Sequence, residues 1–141
     1  MTVQVNNNIS AVQTLILENM ERALKAVGFY VEGEAKKNIH SNQSIDTGML
    51  LNSISSDVIL DEKKINIGSD KNYAVFVEKG TGIYAVDGNG RQTPWSYPDP
   101  DTGEMIFTRG QHPAPFLAPA AEDNIDTIRN IIAANMARGM T

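Results

Sequence analysis

The strongest constraint on the fold is an apolar stripe about eight helical turns long. Val12, Leu15, Ile16, Met20, Leu24, Val27, Val31, Ala35 and Ile39 recur every three or four residues. This spacing predicts one amphipathic helix over residues 10–39, whose apolar face the rest of the chain must cover. Ser10 is the expected N-cap. The helix should fade near His40, where Ser41-Asn42-Gln43-Ser44 reads as a loop. Gly28 and Gly33 each weaken a helix interior by about 1 kcal/mol relative to Ala. They are expected to mark a bend or a close packing contact.

The remaining segments are short. Residues 46–54 read as a small helix, capped by Asp46 or Thr47, with Met49, Leu50 and Ile54 facing inward. Residues 55–60 and 64–68 alternate apolar and polar side chains around a turn at Asp61-Glu62-Lys63, which predicts two paired strands. Residues 72–79 have strand propensity, but Asp70 as a cap and Gly80 as a stop favour a short helix. Residues 80–91 are glycine-rich and read as a flexible loop, with a strand around Tyr84 and Val86. Trp95 and Tyr97 precede a proline- and aspartate-rich turn, and Met105 and Phe107 follow it, which predicts a hairpin. Pro113, Pro115 and Pro119 lead into a closing helix with Ala121, Ile125, Ile128, Ile132 and Met136 as its stripe. Glu122, Asp123 and Asp126 lie near its positive end, Arg138 near its negative end, and Gly139 is its stop. The chain therefore reads as a single α+β domain over residues 1–141, with its core within about 10–138. Two helices are expected on one face of a small, mostly antiparallel sheet. Residues 83–93 and 99–103 are expected to be flexible loops, and the stretches 80–91 and 99–103 bury little and are expected to order only on assembly.

Composition removes several classes of function. With no cysteine among 141 residues, disulfides, thiolate metal sites and cysteine nucleophiles are excluded. A net charge of -5 argues against a broad basic face for nucleic acid. No apolar run approaches the roughly 20 residues of a membrane span. The first ten residues lack the basic start and apolar stretch of a secretory signal.

The motifs that suggest chemistry have simpler readings. Asp46-Thr47-Gly48 and Asp101-Thr102-Gly103 both spell the aspartic-protease triplet, whose chemistry needs two carboxylates sharing a proton. Neither follows a buried apolar strand, so a helix cap and a hairpin turn are expected instead. The run from Gly80 to Ala85 matches G-x-G-x-x-A, but Val86-Asp87-Gly88-Asn89-Gly90 cannot open the helix that a dinucleotide site requires. Asp99, Asp101 and Glu104 lack the spacing of a calcium loop. His40 and His112 form no metal-ligand pair at helical spacing. No catalytic, cofactor-binding or metal-ligating residue is assigned. Trp95, Tyr97, Phe107 and Arg109 cluster in sequence. They read either as core or as a partly exposed subunit contact, since aromatics and Arg are enriched at interfaces.

Three ordered segments carry a family resemblance. The first runs from Asp46 to Ile54 as D-T-G-x-L-x-x-S-I. The second runs from Tyr73 to Gly82 as Y-A-x-F-V-E-x-G-T-G. The third runs from Pro113 to Ala120 as P-x-P-F-L-x-P-A. Set between two helices, they resemble the minor tail component family of long-tailed phages, also described as neck or tail-completion proteins. The resemblance spans about residues 10–138. Lys79 stands where the family usually has an aromatic or apolar residue.

The resemblance implies a non-enzymatic virion protein that forms a ring at the head–tail joint. It would be made in the host bacterial cytoplasm. Its expected partners are its own copies, the head-side connector, and the tail terminator or tube. DNA would pass through without specific binding, and no membrane is involved. Tyr73, Phe76, Phe116 and Leu117 read as core or interface, and in the interface reading Phe116 joins Trp95, Tyr97, Phe107 and Arg109. Glu78 is expected to receive backbone or Arg hydrogen bonds. Two readings from other classes stand beside this one: an aspartic-type hydrolase using the two triplets, and a small host adaptor protein.

Overall fold

The computed structural model describes residues 1–4, 8–42 and 47–140. The long stripe forms α1, Ile9–Asn42, which organises everything else. Next come α2 (Thr47–Ser53), β1 (Ile54–Ile59) and β2 (Lys64–Ser69), then α3 (Ala74–Lys79). β3 (Trp95–Pro98) and β4 (Met105–Thr108) follow, then α4 (Leu117–Glu122) and α5 (Ile125–Met136). The fold is α+β, as expected, but the strands form two separate antiparallel ribbons, β1–β2 and β3–β4, rather than one sheet. α1 packs on β1 and β2 and also against α2, α4 and α5. The closing helices lie chiefly on α1, so the long helix, not a sheet face, is the shared platform.

The buried positions of α1 are Asn19, Ala23, Val27, Gly28, Val31, Ala35 and Ile39. From Asn19 to Ile39 they recur every four residues, with Gly28 added. At about 100° per residue, each four-residue step turns the buried face by about 40°. The face therefore winds around α1 as its partners change along its length. Met20 and Leu24, expected in the stripe, are only partly buried, and Asn19 and Ala23 occupy the centre of the contact. Ser10 does not cap the helix. The amide of Val12 already donates to the carbonyl of Asn8, and the Ser10 carbonyl accepts from the Thr14 hydroxyl. At the other end α1 continues beyond His40. There Asn38 and Asn42 donate side-chain hydrogen bonds to the carbonyls of Phe116 and Pro115, each at 3.1 Å. These tertiary bonds hold the final turn that local sequence would release.

Gly28 marks a close packing contact. A Cβ there would collide with Ile65 Cδ1 and lie 2.7 Å from Ser56 Oγ, so β1–β2 approaches α1 at backbone distance. Gly33 meets nothing within 4 Å. β1 and β2 pair from Ile54↔Ser69 to Ile59↔Lys64. Their turn is a 3-10 segment, Leu60–Glu62, closed by Lys63 in the left-handed region at φ 53. Of the two expected caps of α2, Asp46 lies outside the described residues. α3 forms as expected and stops at Gly80, but Asp70 does not cap it; its N-cap is Tyr73.

The closing helix differs from expectation. It breaks at Asp123 and Asn124 into α4 and α5. Asn124 is the joint: its side chain donates to the Ala120 carbonyl at 3.0 Å and accepts from the Tyr30 hydroxyl at 3.1 Å. The break resets the register, so Ile128 and Ile131 pack on the core while Ile125 and Ile132 are exposed. Asn19 locks the far end. Its Nδ2 donates to the carbonyls of Met136 (3.1 Å) and Arg138 (2.7 Å), and its Oδ1 accepts from Arg22 (2.8 Å).

Candidate functional site at the glycine loop and hairpin

Sequence expectation placed a flexible loop and a strand after α3. The structure has a 3-10 turn at Gly82–Tyr84 and no strand there. The loop is fastened to the segment after β4. Thr81 N donates to Gln111 O at 2.9 Å, Ile83 N to Arg109 O at 3.1 Å, and Gln111 N to Thr81 Oγ1 at 2.8 Å. Gly82 and Gly110 make this crossing possible. Both have positive φ, 61 and 131, and a Cβ on either would strike the opposing backbone. Only glycine satisfies both demands. His112 stacks on Tyr84 with ring centroids 3.8 Å apart. Lys79 binds Asp87 at 2.8 Å, and that hydrogen bond, followed by the carboxylate's charge, raises the lysine above its ordinary value of 10.5. The cation at Lys79 thus clasps the loop from outside.

Glu78 performs a different task. Its carboxylate accepts from the backbone amides of Phe116 (2.8 Å), Leu117 (2.9 Å) and Ala118 (2.9 Å). The first amides of a helix have no intrahelical partner. A charged acceptor there satisfies three of them and meets the positive end of α4. This contact joins the second and third of the sequence segments in space.

The hairpin pairs Trp95↔Thr108, Ser96↔Phe107, Tyr97↔Ile106 and Pro98↔Met105. Directly opposed residues share a face and alternate along each strand. Trp95, Tyr97, Ile106 and Thr108 therefore face one way, and Met105 and Phe107 face the other. Met105 is 67% and Phe107 69% exposed. At the tip, Asp99 Oδ1 accepts from the amides of Asp101 (2.8 Å) and Thr102 (3.0 Å), and Gly103 takes φ 74. Those backbone bonds, Thr102 first, hold the Asp99 carboxyl below its ordinary 3.8.

Between α3, the glycine loop and the hairpin base lies a cleft of about 550 Å³, lined in part by Val75, Phe76, Arg91 and Trp95. Arg91 sits over the Trp95 ring, 5.5 Å from its centroid. Of the expected interface residues, Trp95 is half-buried at this cleft, while Tyr97, Phe107 and Arg109 are exposed on or beside the hairpin. Phe116 takes the core alternative and not the interface one: at 2% exposure it belongs to the protomer's core, beside Ile39 and Leu50, and is not a surface residue.

Among the described residues, the second triplet and the glycine run form turns. Asp101 is exposed in the hairpin turn, and Asp46 lies outside the described residues. Among the described residues, no three His, Cys, Asp or Glu side chains are grouped so as to hold a metal. The G-x-G-x-x-A run opens no α-helix. Sequence reasoning missed Asn19, a polar residue at four-residue spacing from Ala23; its place on the apolar face was the available signal. No helix among the described residues is long and apolar enough to cross a membrane.

Residues 4–80 match the family model described as "Bacteriophage HK97-gp10, putative tail-component". No curated protein and no solved structure matches the chain. The matched region takes in α1, the β1–β2 ribbon and α3, ending at the glycine that stops α3 and leads into the cleft. The chain belongs to the HK97 gp10-like family of bacteriophage tail components.

Proposed function

We propose that this tail component is a ring-forming subunit that completes the tail and joins it to the head, without catalysing a reaction. The observation that carries this reading is the projecting β3–β4 hairpin. It is a two-stranded ribbon, separate from the β1–β2 ribbon, with Met105 and Phe107 uncovered on one face. An isolated two-stranded hairpin is marginally stable in water, so its apolar face calls for a partner in an assembly. Family membership supplies the setting. A single small domain fits such a joint by repeating around the axis through heterologous contacts that close.

The partners in this reading are further copies of the chain, the head-side connector, and the tail terminator or tail tube. The protein resides in the neck or tail of the virion after synthesis in the host bacterial cytoplasm. DNA passes through the ring without specific binding. With 17 acidic against 12 basic residues, the subunit repels phosphate on balance. Deleting the gene tests the reading. Full heads and unattached tails are expected, and normal joined virions would overturn it. A lumen lined mainly by Lys and Arg would overturn the channel component.

A further inference from the structure

We infer that the Met105/Phe107 face of one hairpin seats in the cleft beside Phe76 and Trp95 of a second copy, with its acidic tip against that copy's Arg91. This deepens the ring reading and rests on it. The two surfaces complement each other in shape and charge. The donor is a convex ribbon whose apolar face is uncovered and whose tip carries Asp101 and Glu104, neither in an ion pair among the described residues. The acceptor is a concave cleft of about 550 Å³ with apolar walls from Val75, Phe76 and Trp95. At its rim Arg91 is stacked on Trp95 and hydrogen-bonded to Thr93, yet has no carboxylate partner among the described residues. The other cation, Lys79, is already matched by Asp87. Aromatic and Arg side chains of this kind anchor interfaces, and unpaired rim charges select the partner.

The ribbon also sets the symmetry. Trp95, on one face, lines the cleft of its own chain, while Phe107, next to it across the ladder, points from the opposite face. Donor and acceptor therefore lie on opposite sides of one hairpin base. A two-fold pair matches a patch with itself. Here each copy that accepts a neighbour still presents a free donor, so addition continues until the rotation closes.

The chain has no native cysteine, so single cysteines report cleanly. Full-length Arg91→Cys and Asp101→Cys proteins are treated with a short bismaleimide, separately and mixed, and read by denaturing gel and native mass. A covalent pair is expected from the mixture and little from either variant alone. The double variant should give a ladder ending at a closed species. Same-variant pairs equal to the mixed pair, or no covalent species, would overturn the contact. As a second arm, Arg91→Glu should weaken self-association roughly tenfold, and mixing with Asp101→Lys should restore it. Failure of that rescue also counts against the contact. Closed rings by mass without mixed cross-links remove this contact and leave the ring reading standing. Mixed cross-links confined to pairs keep the contact and remove the ring.

Discussion

Glu78, at the end of α3, holds the backbone amide of Phe116 at 2.8 Å, across 38 residues of sequence. The same carboxylate takes the next two amides, so one side chain both caps α4 and seats Phe116 in the core. The helix has no cap of its own: Phe116 stands at the N-cap position and offers no side-chain acceptor. A remote residue supplies what the local sequence lacks.

Replacing Glu78 with Ala should therefore cost about 1.5–3 kcal/mol of stability, the range for hydrogen bonds to a charged group. Glu78→Gln should cost less, because an amide oxygen still accepts. Urea unfolding measures both. Hydrogen exchange should quicken first at Phe116, Leu117 and Ala118. An unchanged midpoint in the Ala variant would remove the cap from the account.

Gly28 and Gly33 should respond in opposite directions. Gly33 faces open space within a helix, so Gly33→Ala should stabilise by about 0.5–1 kcal/mol. Gly28→Ala forces a Cβ into Ile65 and Ser56 and should destabilise by about 1–3 kcal/mol, the usual cost of overpacking. Thermal melts of the two variants, run side by side, test the asymmetry.

Asn19→Ala should leave the carbonyls of Met136 and Arg138 without their side-chain donor and Arg22 without its acceptor. The expected loss is about 1–3 kcal/mol, with fraying concentrated in the last turn of α5. Asn19→Leu tests the same point at similar volume. If the leucine variant matches the native protein in stability, the site needs only bulk.

The hairpin tip should respond to acid. The folded Asp99 carboxyl sits below its ordinary 3.8, so its contribution is fully present above that value and is lost as pH falls through the lower folded value. The amides of Asp101 and Thr102 should shift in NMR spectra with a midpoint below 3.8 while the body stays folded. Asp99→Asn should keep the turn at neutral pH and abolish that titration. A midpoint at or above 3.8 would contradict the assignment.

Much of this molecule was legible in the residues alone. The spacing from Val12 to Ile39 dictated one long helix, because no other structure puts those side chains on one face. Alternation around Val58 and Ile65 dictated a paired ribbon, and the aspartate-rich run at residues 98–103 dictated a hairpin turn. These are local periodicities, and each shows itself within a short window. Tertiary structure decided what touches what. It chose Asn19 over Met20 for the buried face of α1, because the end of α5 supplies carbonyls there. It broke the closing helix at Asn124, because Tyr30 binds that side chain, and thereby exchanged Ile132 for Ile131 in the core. It placed Phe116 inside, because Glu78 reaches its amide from a remote helix. It also set Trp95 and Phe107 on opposite faces of one ribbon, since strand register, unlike composition, fixes which way a side chain points.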